Sequence, residues 1–153
     1  MKIFVTNRRY IINQLSKSSL YITKAWFISI FSKIDGEPFS PFEDRFNVLK
    51  LQFDDVTEKD TVCKYGEYKH FDETMAKDIH KFCSEISERK PLIIHCDAGI
   101  SRSGAVGIVL NDYFNKFLNN NENDYKEFLD NHKHISPNPE VQRILNKELF
   151  GSY

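Results

Sequence analysis

The chain predicts an α/β fold: a single domain, residues 1–153, with a central, mostly parallel sheet flanked by helices. Three observations predict it. Short β-branched and aromatic runs at 2–6, 26–31, 48–53 and 92–94 are interleaved with stretches whose apolar residues recur at helical spacing. The length of 153 residues suits one sizeable core and is too short for two comfortable ones. No internal repeat and no linker-like composition shift divides it.

In order along the chain, residues 2–6 form a first strand, and Asn7 is a plausible N-cap for a brief helix carrying Tyr10, Ile11, Gln14 and Leu15. Residues 26–31, WFISIF, are a second strand. The segment 36–44, with two prolines and a glycine, is loop. Residues 48–53 alternate apolar and polar side chains as a third strand, which ends at Asp54-Asp55. Residues 56–70 are polar and are expected to be a long mobile connection. From Phe71 the spacing turns helical, with Met75, Ile79, Phe82, Cys83 and Ile86 on one stripe, and this helix is expected to end by Lys90, before Pro91. Cys83 reads as a small hydrophobe within that stripe. Leu92-Ile93-Ile94 is a buried strand, and Val106, Val109, Leu110, Tyr113, Phe114 and Phe117 then keep one face of a helix apolar. A polar turn at 119–124 precedes a helix marked by Tyr125, Phe128 and Leu129. Asn138-Pro139-Glu140 combines a cap, a first-turn proline and an acid at the positive end, and Val141, Ile144, Leu145 and Leu149 give that last helix its buried side.

Composition narrows the function classes. A net charge of −1 offers no basic field for nucleic acid or an anionic membrane. No apolar run is long enough to span a bilayer, and the N-terminus turns polar too early for a signal peptide. Three cysteines, an odd and small number, argue against a disulfide framework and for a reducing, cytoplasmic setting. His132 and His134 near Asp130 lack a further ligand set and read as surface histidines; no metal and no cofactor is expected. Cys63, in the polar connection, is a conceivable redox partner of Cys96, with nothing to fix their separation.

The chemistry concentrates in PLIIHCDAGISRSGAVG, residues 91–107. A strand that leads through a tight loop into a helix start makes an anion cradle, because the first N–H groups of a helix lack intrahelical partners and carry partial positive charge. Cys96 falls at the floor of that cradle and Arg102 at its rim. Such surroundings lower a thiol's pKa, and a planar guanidinium can grip two phosphate oxygens. The loop residues Asp97, Ala98, Gly99, Ile100 and Ser101, with Arg102, are the candidate substrate-binding set. Ser103 is placed to donate a hydrogen bond to the Cys96 sulfur. His95 is expected to order the loop through a hydrogen bond rather than act as a base. Hydrolysis through a thiolate also needs an acid for the leaving oxygen. Asp54 and Asp55 lie at the C-terminal end of a neighbouring strand, where open α/β sheets bind ligands. Strand alternation sends them apart, and Asp55, further out, is the favoured acid.

HCDAGISRS matches the H-C-x-x-G-x-x-R-S/T signature and so resembles the cysteine-dependent protein tyrosine phosphatase superfamily, most of all its small dual-specificity branch. The likeness extends to Phe53-Asp54-Asp55 and to SPNPEVQRIL at the opening of the last helix, and thus covers roughly the last two thirds of the chain. It implies a protein tyrosine phosphatase-like fold. It further implies that Cys96 is the nucleophile, Arg102 the phosphate clamp, Ser103 the thiolate's partner and Asp55 the acid and then the base, with Asn138 holding the loops. The chain departs from the family in having no WPD tripeptide, and its stretch from Asp55 to Cys96 is longer than usual.

The expected activity is hydrolysis of phosphotyrosine, and in the wider reading phosphoserine and phosphothreonine, on a protein partner through a phosphocysteine intermediate. Asp97 and the lack of a loop lysine disfavour polyanionic lipids and RNA 5′ ends. The rival from another class is a phosphate-binding module without turnover, a pseudophosphatase; a phosphatase for a non-protein ester is a second rival. Oligomeric state is not readable from the sequence.

Overall fold

The structure, a computed structural model, describes residues 1–17, 24–33, 40–64, 66–87 and 89–151. Its centre is a four-stranded sheet of β1 (Ile3–Asn7), β2 (Trp26–Phe31), β3 (Val48–Gln52) and β6 (Leu92–Cys96), in the order β1-β6-β2-β3 and parallel throughout. A two-stranded antiparallel hairpin, β4 (Val62–Cys63) and β5 (Gly66–Glu67), stands apart from it. The helices are α1 (Arg8–Lys17), α2 (Glu73–Ser84), α3 (Arg102–Leu110), α4 (Glu122–Asn131) and α5 (Pro139–Phe150), with a π-helical segment, Asn111–Leu118, prolonging α3.

Burial on both faces explains why the strands are short and continuously apolar. All five residues of β6 are buried. On one face Leu92 and Ile94 join Ile3, Val5, Ile28, Ile30 and Leu51 in the main core, against α2, α3, α5 and Phe128 of α4. On the other face Ile93 and Phe27 pack with Ile11 and Leu15 of α1 and with Phe42. Removing each such large side chain from water stabilises the fold by about 1.5–3 kcal/mol. Because the sheet is parallel, its strand ends gather at one edge. Asn7 is the register partner of Cys96, and Ser29 that of His95.

Several sequence expectations change in three dimensions. The loop expected at 36–44 lies partly outside the described residues, and 40–44 carry no regular structure. Residues 56–70, expected to be a mobile connection, contain the β4–β5 hairpin and are tied down at Lys69 and His70. Helix α2 ends at Ser84, within the expected limit of Lys90, where the Glu85 N–H turns back to the carbonyls of Phe82 and Cys83; Ile86 of the expected stripe lies past its end and is still buried. The π-helical widening after Leu110 puts more residues in each turn, so a stripe spaced for an α-helix drifts off the core. Phe117 consequently emerges 65% exposed, against Tyr113 and Phe150. His132, expected at the surface, is buried: its Nε2 accepts the Val5 N–H at 2.9 Å, and its ring stacks on Phe128. It secures β1, which lies at the edge of the sheet among the described residues.

Candidate active site

Strand β6 ends on Cys96, 2% exposed, and the chain turns back over the sulfur before α3 begins. The Cys96 Sγ lies 3.0 Å from Ser103 Oγ and accepts the Gly99 N–H at 3.3 Å. Gly99 is demanded twice. Its φ is +70°, and a Cβ there would sit 2.6 Å from the Thr6 carbonyl carbon and oxygen. The loop is also fastened from outside. Arg8 N–H donates to the Asp97 carbonyl, Ser136 N–H to the Ile100 carbonyl and Asn138 N–H to the Ser101 carbonyl, each at 3.1 Å. In a planar trans peptide the next N–H points the opposite way, so carbonyls drawn outward direct the N–H groups of residues 98, 101 and 102 into the cradle. Asp97, Ala98 and Ile100 are exposed around it.

Arg102 is 4% exposed, and its Nη1 donates to the Phe53 carbonyl at 3.1 Å, which couples it to the chain just ahead of the two aspartates. Those aspartates separate as strand alternation requires. Asp54 is buried, accepting from Ser32 Oγ and, at 2.6 Å, from the Lys69 N–H. Asp55 is exposed and reaches the cradle: its Oδ1 accepts from Ser101 Oγ at 2.7 Å and from Asn138 Nδ2 at 2.9 Å. The same Asn138 amide donates to the Val56 carbonyl, while Asn138 Oδ1 caps α5 at Glu140 and Val141.

Behind the loop, His95 Nε2 is 2.6 Å from Ser29 Oγ, which is 2.5 Å from Ser40 Oγ; Nδ1 faces the Cys96 carbonyl at 3.4 Å. Burial lowers the His95 pKa to about 4, helped by the charges of Arg8 and Arg102. The ring is therefore neutral near pH 7, with Nδ1–H toward the carbonyl and Nε2 accepting from Ser29. Burial pushes the Cys83 thiol strongly upward, which suits a packing residue and not a reactive one. All three cysteines are free. Among the described residues no cluster of three His, Cys, Asp or Glu could hold a metal ion, and no helix is long and apolar enough to cross a membrane. Surface depressions of about 630 and 440 Å³ open along α1 and β1, and neither is lined by Cys96 or Arg102.

The structure thus brings together Cys96, Gly99, Ser101, Arg102, Ser103, Asp55 and Asn138, with His95 behind them. Sequence reasoning missed Ser29 and Ser40, the Phe53 carbonyl, and the anchors Ser32 and Lys69. None of these belongs to a local motif, because each becomes a partner only through the sheet register or a long loop.

No protein-family profile matches the chain. A protein of Amsacta moorei entomopoxvirus named as a tyrosine-protein phosphatase is 37% identical over 70 residues, covering 46% of this chain and 39% of the viral one. The match therefore spans well under half of that curated relative. Among solved structures, the human tyrosine phosphatase-like serine/threonine/tyrosine-interacting protein superposes with a TM-score of 0.62 at 17% identity, over 95% of this chain and 89% of its own. PTPMT1 in complex with PI(5)P gives 0.54 at 11% identity, over 97% and 90%. Human DUSP28 gives 0.52 at 14%, over 97% and 88%. The chain has the fold of the cysteine-dependent protein tyrosine phosphatases.

Proposed function

We propose that this protein is a cysteine-dependent phosphatase that removes phosphate from phosphotyrosine, and in the wider reading from phosphoserine and phosphothreonine, on protein substrates. The observation that carries this reading is the sulfur of Cys96, held between Ser103 Oγ and the Gly99 N–H at the bottom of the loop that Asp55 overhangs. The Cys96 thiolate attacks phosphorus, the S–P bond forms and the ester O–P bond breaks. Asp55, protonated, gives its proton to the leaving oxygen. As a carboxylate it then takes a proton from the water that attacks the phosphocysteine. The S–P bond breaks, inorganic phosphate leaves, and Ser103 donates to the departing sulfur. Throughout, the inward N–H groups and Arg102 hold the phosphoryl oxygens. His95 keeps the loop in register without exchanging a proton.

Exposed Asp97, and the absence of lysine or arginine between Cys96 and Arg102, favour a phosphoprotein over an inositol lipid. A reducing cytoplasm suits three free cysteines. The test is release of phosphate from p-nitrophenyl phosphate and from phosphotyrosine peptides by the wild type and by Cys96→Ser. Turnover by the wild type and none by the variant is expected. Equal rates, or an inert wild type that still binds phosphopeptide, would leave a phosphate-binding module instead. Faster release from an inositol lipid than from phosphopeptides would overturn the substrate assignment.

A further inference from the structure

The chain between β3 and α2 is an excursion closed on itself. Its ends meet where the Asp54 N–H donates to the Lys69 carbonyl at 2.7 Å and the Lys69 N–H donates to Asp54 Oδ2 at 2.6 Å. The next residue, His70, stands between two acceptors. Its Nδ1 is 3.0 Å from Glu140 Oε2, and its Nε2 is 2.7 Å from the Asp60 carbonyl oxygen. A carbonyl oxygen can only accept, and so can an ionised carboxylate. Neutral imidazole has one N–H and can serve one of these partners; the imidazolium serves both. The arrangement therefore specifies a charged ring by geometry. The Glu140 bond also raises the His70 pKa above its ordinary value, against the opposing effect of burial. The charged groups around the ring are Glu140 on α5 and Asp60 within the excursion, whose carboxylate is itself engaged by the Thr57 N–H and hydroxyl. Lys69 and Asp72, on either side in sequence, approach each other at 4.0 Å.

Glu140 lies two residues after Asn138. The first turn of α5 therefore grips the excursion twice: Asn138 holds Asp55 and Val56 at its start, and Glu140 holds His70 at its end. We propose that His70, as an imidazolium bridging Glu140 and Asp60, is a positioning residue that clamps the excursion to α5 and keeps Asp55 over the phosphate cradle. Loss of its proton breaks one of the two bonds and loosens the acid. This role rests on the phosphatase reading above, in which Asp55 protonates the leaving group. The sign is fixed by the chemistry. Below His70's raised pKa the clamp is complete, and as pH climbs through that value it is lost.

The test compares two substrates. A phosphotyrosine peptide needs a proton on its leaving oxygen, whereas 2,4-dinitrophenyl phosphate expels a phenolate that needs none. His70→Gln, whose two N–H donors share one nitrogen and cannot take the places of the two separate ring nitrogens, is expected to lower kcat/KM on the peptide by about tenfold while leaving kcat/KM on the dinitrophenyl ester, which is set before phosphocysteine hydrolysis, within about twofold. It should also flatten the pH dependence of the ratio between the two substrates, and add no further loss in an Asp55→Asn background. Equal losses on both substrates, or a loss that adds to Asp55→Asn, would overturn the proposal. The two readings fail separately. If Asp55→Asn itself does not distinguish the substrates, the acid assignment falls; if it does and His70→Gln does not, only the clamp falls. Should His70→Gln not fold, NMR of the wild-type ring nitrogens decides. Both nitrogens protonated at neutral pH is the expected state, and a single neutral tautomer there refutes the clamp.

Discussion

Asp54 and Asp55 are chemically identical neighbours, and everything that separates them comes from what they touch. Asp54 is 4% exposed and spends its two oxygens on Ser32 and on the Lys69 N–H. Asp55 reaches out to Ser101 and Asn138. Asp55→Asn should lower turnover of a phosphotyrosine peptide by about a hundredfold or more, with the folded protein as stable as before. Asp54→Asn should instead cost about 1–3 kcal/mol of stability in denaturant unfolding, since an amide can satisfy only one of those two donors with its single oxygen. The opposite ranking in kcat would reassign the acid. Gly99 belongs to the same scale. Gly99→Ala forces a Cβ to 2.6 Å from the Thr6 backbone at a positive φ, so the loop must shift, and loss of phosphatase activity together with lowered stability is expected. The HCDAGISRS loop could be read directly from the sequence because its donors, its glycine and its cysteine fall within one short run of consecutive residues. The choice between two adjacent aspartates could be only leaned on, since strand alternation gives the fact of divergence without the partners.

At the scale of elements, the caps are where local chemistry and the site coincide. Asn138 caps α5 through the Glu140 and Val141 N–H groups at 3.0 and 3.1 Å while its amide nitrogen holds Asp55 and Val56. Asn138→Ala should therefore cost about 1 kcal/mol of stability from the cap and also lower the rate with substrates that need the acid. Asn138→Asp, which keeps the cap but donates nothing to Asp55, should lose the rate and keep the cap's share of stability. Calorimetry set beside kcat separates these outcomes. Gly107 marks a second contact between elements. A Cβ there would meet Val5 Cγ2 at 2.5 Å and Phe128 Cζ at 3.1 Å, so Gly107→Ala should overpack the α3–β1 crossing by about 1–3 kcal/mol without touching the cradle. The cap at Asn138 was apparent in the sequence because it is a three-residue pattern. The π-helical stretch was not, because its wider turn alters no residue type and only displaces a stripe that a 3.6-residue period would have kept in line.

For the whole molecule, the titrating histidines set a stability profile with two limbs. His95 is neutral in the folded protein, with its pKa lowered from 6.5 to about 4, whereas the unfolded chain binds a proton near the ordinary value. Its contribution is thus complete above about pH 6.5 and is lost as pH falls toward 4, a difference of about 3 kcal/mol in all. His132, also lowered by burial, acts in the same direction through its bond to the Val5 N–H. His70 has the opposite sign, because its pKa is raised: its contribution is present at low pH and fades as pH rises through that raised value. Denaturant unfolding across pH should therefore show an acid limb that His95→Asn flattens and a shallower alkaline limb that Glu140→Gln flattens. An acid limb unchanged by His95→Asn would show that the ring does not govern it.

What the sequence determined by itself was whatever consecutive residues can specify: four apolar runs that must be buried strands, helix stripes and caps, and a loop whose cysteine, glycine and arginine lie within seven positions of one another. Tertiary structure decided which carboxylate reaches that loop, what stands behind His95, where His132 lies, and how His70 meets Glu140 from 70 residues away. The physical reason is range. Main-chain geometry and apolar periodicity are written into neighbouring residues, whereas a hydrogen bond between distant segments exists only after the sheet has chosen its register and the core has fixed the distance between them.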